Sequence, residues 1–171
     1  MEPPVRTGAV PSSAIIGLLC LATTFTLDFF SKTLIVELVM QPPRNIPLAS
    51  FMNLTLGFNE GISFGLFADF FRSFPTLLVA ITIALTTGIL VWMMRSTSRL
   101  EAAGLGAIAG GAIGNIVDRV SRGAVVDYLD LHVAGWHWPA FNLADVGIVI
   151  GALAVTAASL LEWRTRERRG G

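Results

Sequence analysis

The chain has 171 residues, of which 53% are hydrophobic and only 14% charged, with a mean hydropathy of +0.67. Soluble proteins carry roughly 25% charged residues, so there is too little charge here to coat a water-soluble globule, and the chain is too apolar to be disordered. Lys plus Arg and Asp plus Glu both number 12, which leaves no net charge to attract nucleic acid, and the single cysteine, Cys20, excludes an internal disulfide framework and a multi-cysteine metal site.

A small polytopic membrane protein remains. A spanning helix needs about 20 mostly apolar residues, because each rises about 1.5 Å across a core of about 30 Å. Residues 14–36 are long enough, although they carry Asp28 and Lys32. The apolar run 14–27 would also suit the core of a cleaved signal peptide. However, only Arg6 precedes it, no small-x-small site follows, and Leu18 and Leu19 precede Cys20 where a lipoprotein signal wants small residues. The segment is therefore expected to persist as a helix.

Pro42, Pro43 and Pro47 stop that helix. Beyond them Met52, Leu54, Leu56 and Phe58 alternate with Asn53, Thr55, Gly57 and Asn59, which predicts a strand with one apolar and one wet face. Residues 74–94 form a second span without any charge, and residues 100–119 a third. The third is rich in glycine (Gly104, Gly106, Gly110, Gly111, Gly114), as expected of a helix packed closely against its neighbours. Residues 124–131 read as a short strand, and Trp136 and Trp138 as an interfacial belt before a fourth span at 140–161, whose one charge is Asp145. The expected fold is an all-α polytopic membrane protein with four transmembrane helices. It forms one domain over 1–171, without internal repeats.

Orientation follows from the loop cations. Arg6, Arg95, Arg99, Arg164, Arg166, Arg168 and Arg169 flank one side, while Arg44, Arg72, Arg119 and Arg122 lie on the other. The excess places both termini in the cytoplasm and segments 41–72 and 120–139 outside. The arginines of the tail then read as an anchor beside anionic lipid rather than a nucleic-acid patch.

Ionisable residues inside spans cost several kcal/mol at the bilayer centre, so they are functional candidates with partners. Asp28 and Lys32 are four apart on one helix face, in the favourable order for an ion pair that holds the bundle or touches a substrate. Asp127 closely follows the third span, and Asp145 lies one turn inside the fourth. The two can meet at the outer membrane face. Two carboxylates in a low-dielectric site share a proton, which suits hydrolysis by general acid and base. Alternatively each caps a helix or pairs with Arg119 or Arg122. Asn59, Asn115 and Asn142 are amides that can orient carboxylates, bond a peptide backbone, or serve as buried structural hydrogen bonds. His132 and His137 lie five apart without an HExxH motif, so no metal is expected. There is no GxSxG elbow, and the glycines at 110–114 do not open a helix after a strand.

Five blocks, in order, resemble those of the lipoprotein signal peptidase (signal peptidase II) family over nearly the whole chain. Asp28-Phe29-Phe30-Ser31-Lys32 is similar to its D-x-x-[ST]-K block, and Asn59-Glu60-Gly61-Ile62-Ser63-Phe64-Gly65 to N-x-G-x-[SA]-F. Gly110-Gly111-Ala112-Ile113-Gly114-Asn115-Ile116-Val117-Asp118-Arg119 is similar to G-G-A-x-G-N-x-x-D-R, Val125-Val126-Asp127-Tyr128 to V-x-D-[FY], and Phe141-Asn142-Leu143-Ala144-Asp145 to F-N-x-A-D. The resemblance implies an aspartic endopeptidase of the bacterial cytoplasmic (inner) membrane. It would remove the signal peptide from prolipoproteins just before a diacylglyceryl-modified cysteine, without a cofactor. Its dyad falls on Asp127 and Asp145. Asn59, Asn115, Arg119 and Asn142 fall on positions that hold the dyad or the substrate, and Asp28 and Lys32 on a partly structural block. The family's small extracytoplasmic sheet agrees with the two strands above.

The implied partners are such prolipoproteins and membrane lipids, with no nucleic acid. Phe64, Leu66 and Phe67, framed by Gly61 and Gly65, are expected to form an apolar lid, which Gly65→Pro would stiffen at the cost of turnover. A small proton-coupled transporter is the rival reading, and it predicts charges strung through the membrane depth. A non-catalytic scaffold predicts that both carboxylates are dispensable.

Overall fold

A computed structural model describes residues 11–61 and 68–170. The expected lid residues Phe64, Leu66 and Phe67, with Gly65, lie outside the described residues. In chain order the elements are α1 (Ser12–Leu34), a π-helical turn (Ile35–Val39), β1 (Ile46–Ala49), β2 (Met52–Asn59), α2 (Ala68–Ser73), α3 (Pro75–Arg95), α4 (Arg99–Arg122), β3 (Val125–Val133), β4 (Trp136–His137) and α5 (Leu143–Gly170). Among the described residues, four helices are long and apolar enough to cross a membrane: α1 with its π turn, α3, α4 and α5.

The spans follow hydropathy, and local chemistry sets their ends. Pro75 opens α3 at a position where a missing N–H costs nothing. The Ser98 hydroxyl accepts the backbone N–H of Glu101 at the start of α4. Gly123, at φ 80°, closes α4 in the left-handed region that an L side chain rarely adopts. The fourth span begins at Leu143, later than hydropathy suggests. Phe141 instead pairs with Leu129 of β3, donating and accepting backbone hydrogen bonds at 3.0 and 2.8 Å.

α4 is the centre of the bundle, and α1, α3 and α5 all pack on it. Half of its most apolar stretch (50%) is buried within the protein, against 17–22% in the other spans, whose large side chains face lipid. Glycine makes this possible. A Cβ on Gly106 would overlap the carbonyl of Gly17 in α1, and one on Gly111 would overlap that of Ala144 in α5. Backbones in contact gain dispersion and exclude lipid, which is how helices associate where burial from water supplies no force.

An antiparallel sheet of order β1-β2-β3-β4 caps one end of the bundle. The π turn after α1 packs into it. Ile35 and Met40 meet Val126 and Tyr128 of β3, with Leu54 and Leu56 of β2 around them. Tyr128 Oη donates to Ser31 Oγ at 2.7 Å, tying β3 to α1, while the Ser31 hydroxyl donates to the Asp28 carbonyl.

The clean alternation expected in β2 is not what forms. Asn53, expected to be wet, is buried, while Phe58, expected to be apolar and covered, is exposed. Asn53 is covered where it pairs with Asp130, and Phe58 is turned out by a bulge. Leu54 faces Leu129, but Gly57 faces Asp127, so one extra residue is accommodated between them and the faces exchange. The strand expected over 124–131 forms as β3. β1, β4 and α2 are additional elements of the segments between the spans.

Gly106→Val should prevent α1 from reaching α4 and sharply reduce the yield of folded protein, with a lowered thermal midpoint in detergent. Gly88→Val, on α3 where nothing lies within 4 Å, is the control and should be close to neutral. Equal effects in thermal unfolding would contradict the packing account.

Candidate active site

The site rests on a buried ammonium group. Lys32 and Asp28 are 2% and 0% exposed. Lys32 Nζ lies 2.7 Å from Asp28 Oδ2, 2.9 Å from Asp118 Oδ2 and 2.9 Å from Asn115 Oδ1. Two ionic partners and one hydrogen-bond acceptor thus surround the ammonium. The second carboxylate is also held. Asp118 Oδ2 accepts the Val126 N–H at 3.1 Å, and Arg122 Nε lies 3.5 Å from Asp118 Oδ1. Asp28 Oδ1 accepts the Ala144 N–H at 2.8 Å, in the first turn of α5, where the helix dipole favours negative charge. One lysine thus joins α1 to α4, and its two carboxylates continue the connection to β3 and α5. The i, i+4 pair expected in α1 forms. Asp118, in the Gly110–Arg119 block, is a member of the site that the sequence reading misses. Its signal was a second acid near the end of a span.

The lysine also orients one amide, Asn115, and the start of α5 orients a second, Asn142. Lys32 can only donate, so Asn115 must turn Oδ1 toward it, which aims Nδ2 at Asp145 Oδ1, 3.2 Å away. Asn142, fully buried, precedes α5, and its Oδ1 accepts the Asp145 N–H at 3.0 Å. Asp145 Oδ2 accepts the Asn142 N–H in return, at 3.2 Å. This is a reciprocal cap at N-cap and N3. With Oδ1 so engaged, Asn142 Nδ2 faces Asp127 Oδ1 at 2.7 Å, and it also lies within reach of Asn115 Oδ1 and the Val126 carbonyl. The bulge in β2 brings Asn59 opposite Val125, so Asn59 Nδ2 donates to Asp127 Oδ2 at 3.2 Å. The alternative of helix capping is therefore realised by Asp145 together with its place in the site, while Arg122 pairs with Asp118 instead of the two candidate acids.

Asp127 and Asp145 both line a cleft of about 560 Å³ between the sheet and the α3, α4 and α5 helices. Asn59, Asn115 and Arg119 lie on its wall. Arg119 donates to the Gly61 carbonyl at 2.7 Å and to the Asn115 carbonyl at 3.3 Å, pinning the end of β2 to α4. Burial, and then the charge of the neighbouring Asp145, push the Asp127 pKa up to about 6, against the pull of the Asn59 and Asn142 hydrogen bonds. The negative charge of Asp145 thus disfavours ionisation of Asp127.

Seven of the eight residues expected at the site, together with Asp118, form one hydrogen-bonded network, and Arg119 joins it through the Asn115 backbone. All are at the sheet end of the bundle, an arrangement that does not support a relay of charges through the membrane depth. His132 and His137 lie on the far part of the sheet. Their rings stack with centroids 5.1 Å apart, and His137 Nδ1 lies 2.8 Å from Asp130 Oδ1. Among the described residues no three metal-ligating side chains converge.

Lys32→Met would leave two buried carboxylates without their cation, and should lower unfolding stability by about 3–5 kcal/mol in denaturant titrations. A loss below about 1 kcal/mol would show that the network is not what holds α1 to α4.

Residues 20–161 match the signal peptidase (SPase) II family. The lipoprotein signal peptidase of Methylobacterium sp. (strain 4-46) is 41% identical over 157 residues, covering 91% of this chain and 93% of that one. That of Methylorubrum extorquens (strain PA1) is 42% identical over 147 residues, covering 84% and 85%. A bacterial membrane enzyme solved by the in meso method at 2.3 Å resolution superposes with a TM-score of 0.74 at 25% identity, covering 85% of this chain and 88% of that one. With matches over this much of its length, the chain belongs to the signal peptidase II family.

Proposed function

We propose that this protein is an aspartic endopeptidase that removes signal peptides from prolipoproteins, with Asp127 and Asp145 as its catalytic pair. The observation that carries the reading is a raised Asp127 beside Asp145 on an open cleft, with two donors on each carboxylate. Those donors fix the carboxylates in orientation, so little reorganisation is needed when charge develops.

The ionised member takes a proton from a water, and the water oxygen bonds to the scissile carbonyl carbon. The protonated member gives its proton to the carbonyl oxygen, forming a gem-diol. The first member then delivers its proton to the departing nitrogen as the C–N bond breaks, and a diol hydroxyl returns a proton to the second. One proton remains on the pair, ready for the next turnover. Asn115 and Asn142 keep the carboxylates in place. Arg119 faces the same cleft and is placed to hold a substrate carbonyl. Lys32 acts at a distance by orienting Asn115, and Asp28 and Asp118 by holding the first turn of α5 and the start of β3.

The cleft continues between α3 and α5, past Thr82, Val146, Val149 and Ile150. This apolar continuation suits the signal segment and the acyl chains of a diacylglyceryl-modified cysteine, which would stay in the membrane while water reaches the acids. The site is assigned to the extracytoplasmic face of the bacterial inner membrane, with both termini in the cytoplasm. Supporting this, Arg95, Arg99, Arg164, Arg166 and Arg168 all gather at the opposite end of the bundle.

In detergent, the native protein should cleave a diacylglyceryl-modified prolipoprotein just before the lipidated cysteine. Asp127→Asn and Asp145→Asn should each lower kcat by at least about a thousandfold while keeping the native thermal midpoint. Near-native rates for either variant would overturn the proposed mechanism.

The pH profile of kcat/KM should have an alkaline limb near pH 6, belonging to the pair rather than to one residue. Above it both carboxylates ionise and the proton donor is lost. Asn59→Leu removes a donor that lowers the Asp127 pKa, so the limb should move to higher pH; a limb that stayed in place would contradict the role given to Asn59. The same raised pKa favours protonated Asp127 in the folded state. Its contribution to stability is therefore full below about pH 4 and is lost as pH rises through about 6.

A further inference from the structure

We infer that Trp138 is a specificity-determining wall for the mature side of the substrate chain, and that His137 and Asp130 act as the positioning pair that holds it there. The inference rests on the peptidase reading above and deepens it.

The cleft has two unlike ends. One runs into the apolar groove between α3 and α5. The other ends on the sheet, at Leu131 and Trp138. Leu131 lies four residues beyond Asp127 along β3, about 13 Å at about 3.3 Å per residue. An extended peptide crossing the acids thus meets this wall several residues from the bond that breaks. The apolar signal segment belongs in the membrane groove, so the chain that reaches the sheet is the one on the far side of the lipidated cysteine. An indole there offers a rigid, broad contact at a small cost in conformational entropy.

The local structure around Trp138 needs support. β4 has only two residues, and a strand that short is not stable alone. Its turn places Ala134 and Gly135 at φ 51° and 83°, the first being strained for a residue with a side chain. What holds the hairpin is a set of polar contacts beside it. His137 Nδ1 lies 2.8 and 3.0 Å from the two oxygens of Asp130. Asp130 is nearly sealed from solvent and also accepts from Asn53 Nδ2 at 2.9 Å, on the neighbouring strand. His132, the cross-strand partner of His137, stacks on its ring. The next residue is Trp138, whose backbone N–H donates to the Leu131 carbonyl at 2.7 Å and whose ring meets that of Trp136 edge-on at 5.8 Å. The buried Asn53 and Asp130 thus serve as the fixed base of a latch whose free end carries the indole.

The test compares two lipidated substrates. One ends just after the modified cysteine and the other continues for about eight residues. The native enzyme should prefer the longer substrate, chiefly through KM. Trp138→Ala should reduce the ratio of kcat/KM, long over short, about tenfold. His137→Ala should reduce the ratio in the same direction, and His137→Gln, which can still donate to Asp130, should restore it. Equal values for the two substrates with native enzyme would overturn the inference, as would an unchanged ratio in Trp138→Ala. A ratio lowered equally by His137→Ala and His137→Gln would remove the latch. Failure of native enzyme to cleave either substrate would instead count against the peptidase reading.

Discussion

One buried ammonium group sets the arrangement of this protein's polar interior. Lys32 is buried, so its charge gathers Asp28, Asp118 and Asn115 around it. Those three residues in turn engage the first turn of α5, the Asp145 carboxylate and the start of β3. Such a group is costly in a membrane interior unless every donor is satisfied. The contact also needs α1 and α4 to approach closely, and the glycines along α4 allow it. Packing and electrostatics are therefore one constraint: without the small residues the lysine could not reach its partners.

From that base the orientation of each amide follows by elimination. Lysine cannot accept, so Asn115 presents its oxygen to Lys32 and its N–H to Asp145. A helix N-terminus offers only donors, so Asn142 presents its oxygen to the Asp145 N–H and its NH2 group to Asp127. The proposed acids sit on different elements, one on the central strand of the sheet and the other in the first turn of a helix. Each element is rigid, and the bulge in β2 brings Asn59 to the remaining oxygen of Asp127. The proposed site thereby presents both carboxylates to a cleft that continues into an apolar groove between α3 and α5.

Much of this was legible in the sequence, and the limits have physical causes. The spans could be read because hydropathy over some 20 residues is a long signal. The i, i+4 pair Asp28–Lys32 was legible because helix spacing is local. The ends of spans were less so: the chain at Ala140 and Phe141 is apolar enough for a helix, yet pairs with β3 and waits for the cap at Asn142. Asp118 gave no sign of its partner, because Lys32 lies on another helix far away in sequence. The faces of β2 were misread since a bulge erases period two without changing composition. The pairing of His137 with Asp130 depends on a two-residue strand that no propensity would announce.

The central claim is that Asp127, beside the Asp145 carboxylate, keeps its proton up to about pH 6. An infrared titration of the carboxyl C=O stretch on the native protein tests it most directly, with Asp127→Asn and Asp145→Asn as assignments. The account predicts one protonated carboxyl in the native protein that titrates near pH 6. The band should be lost in Asp127→Asn and shifted to lower pH in Asp145→Asn. Two carboxyls that both ionise near the ordinary value of about 4, unaffected by each other's removal, would contradict it.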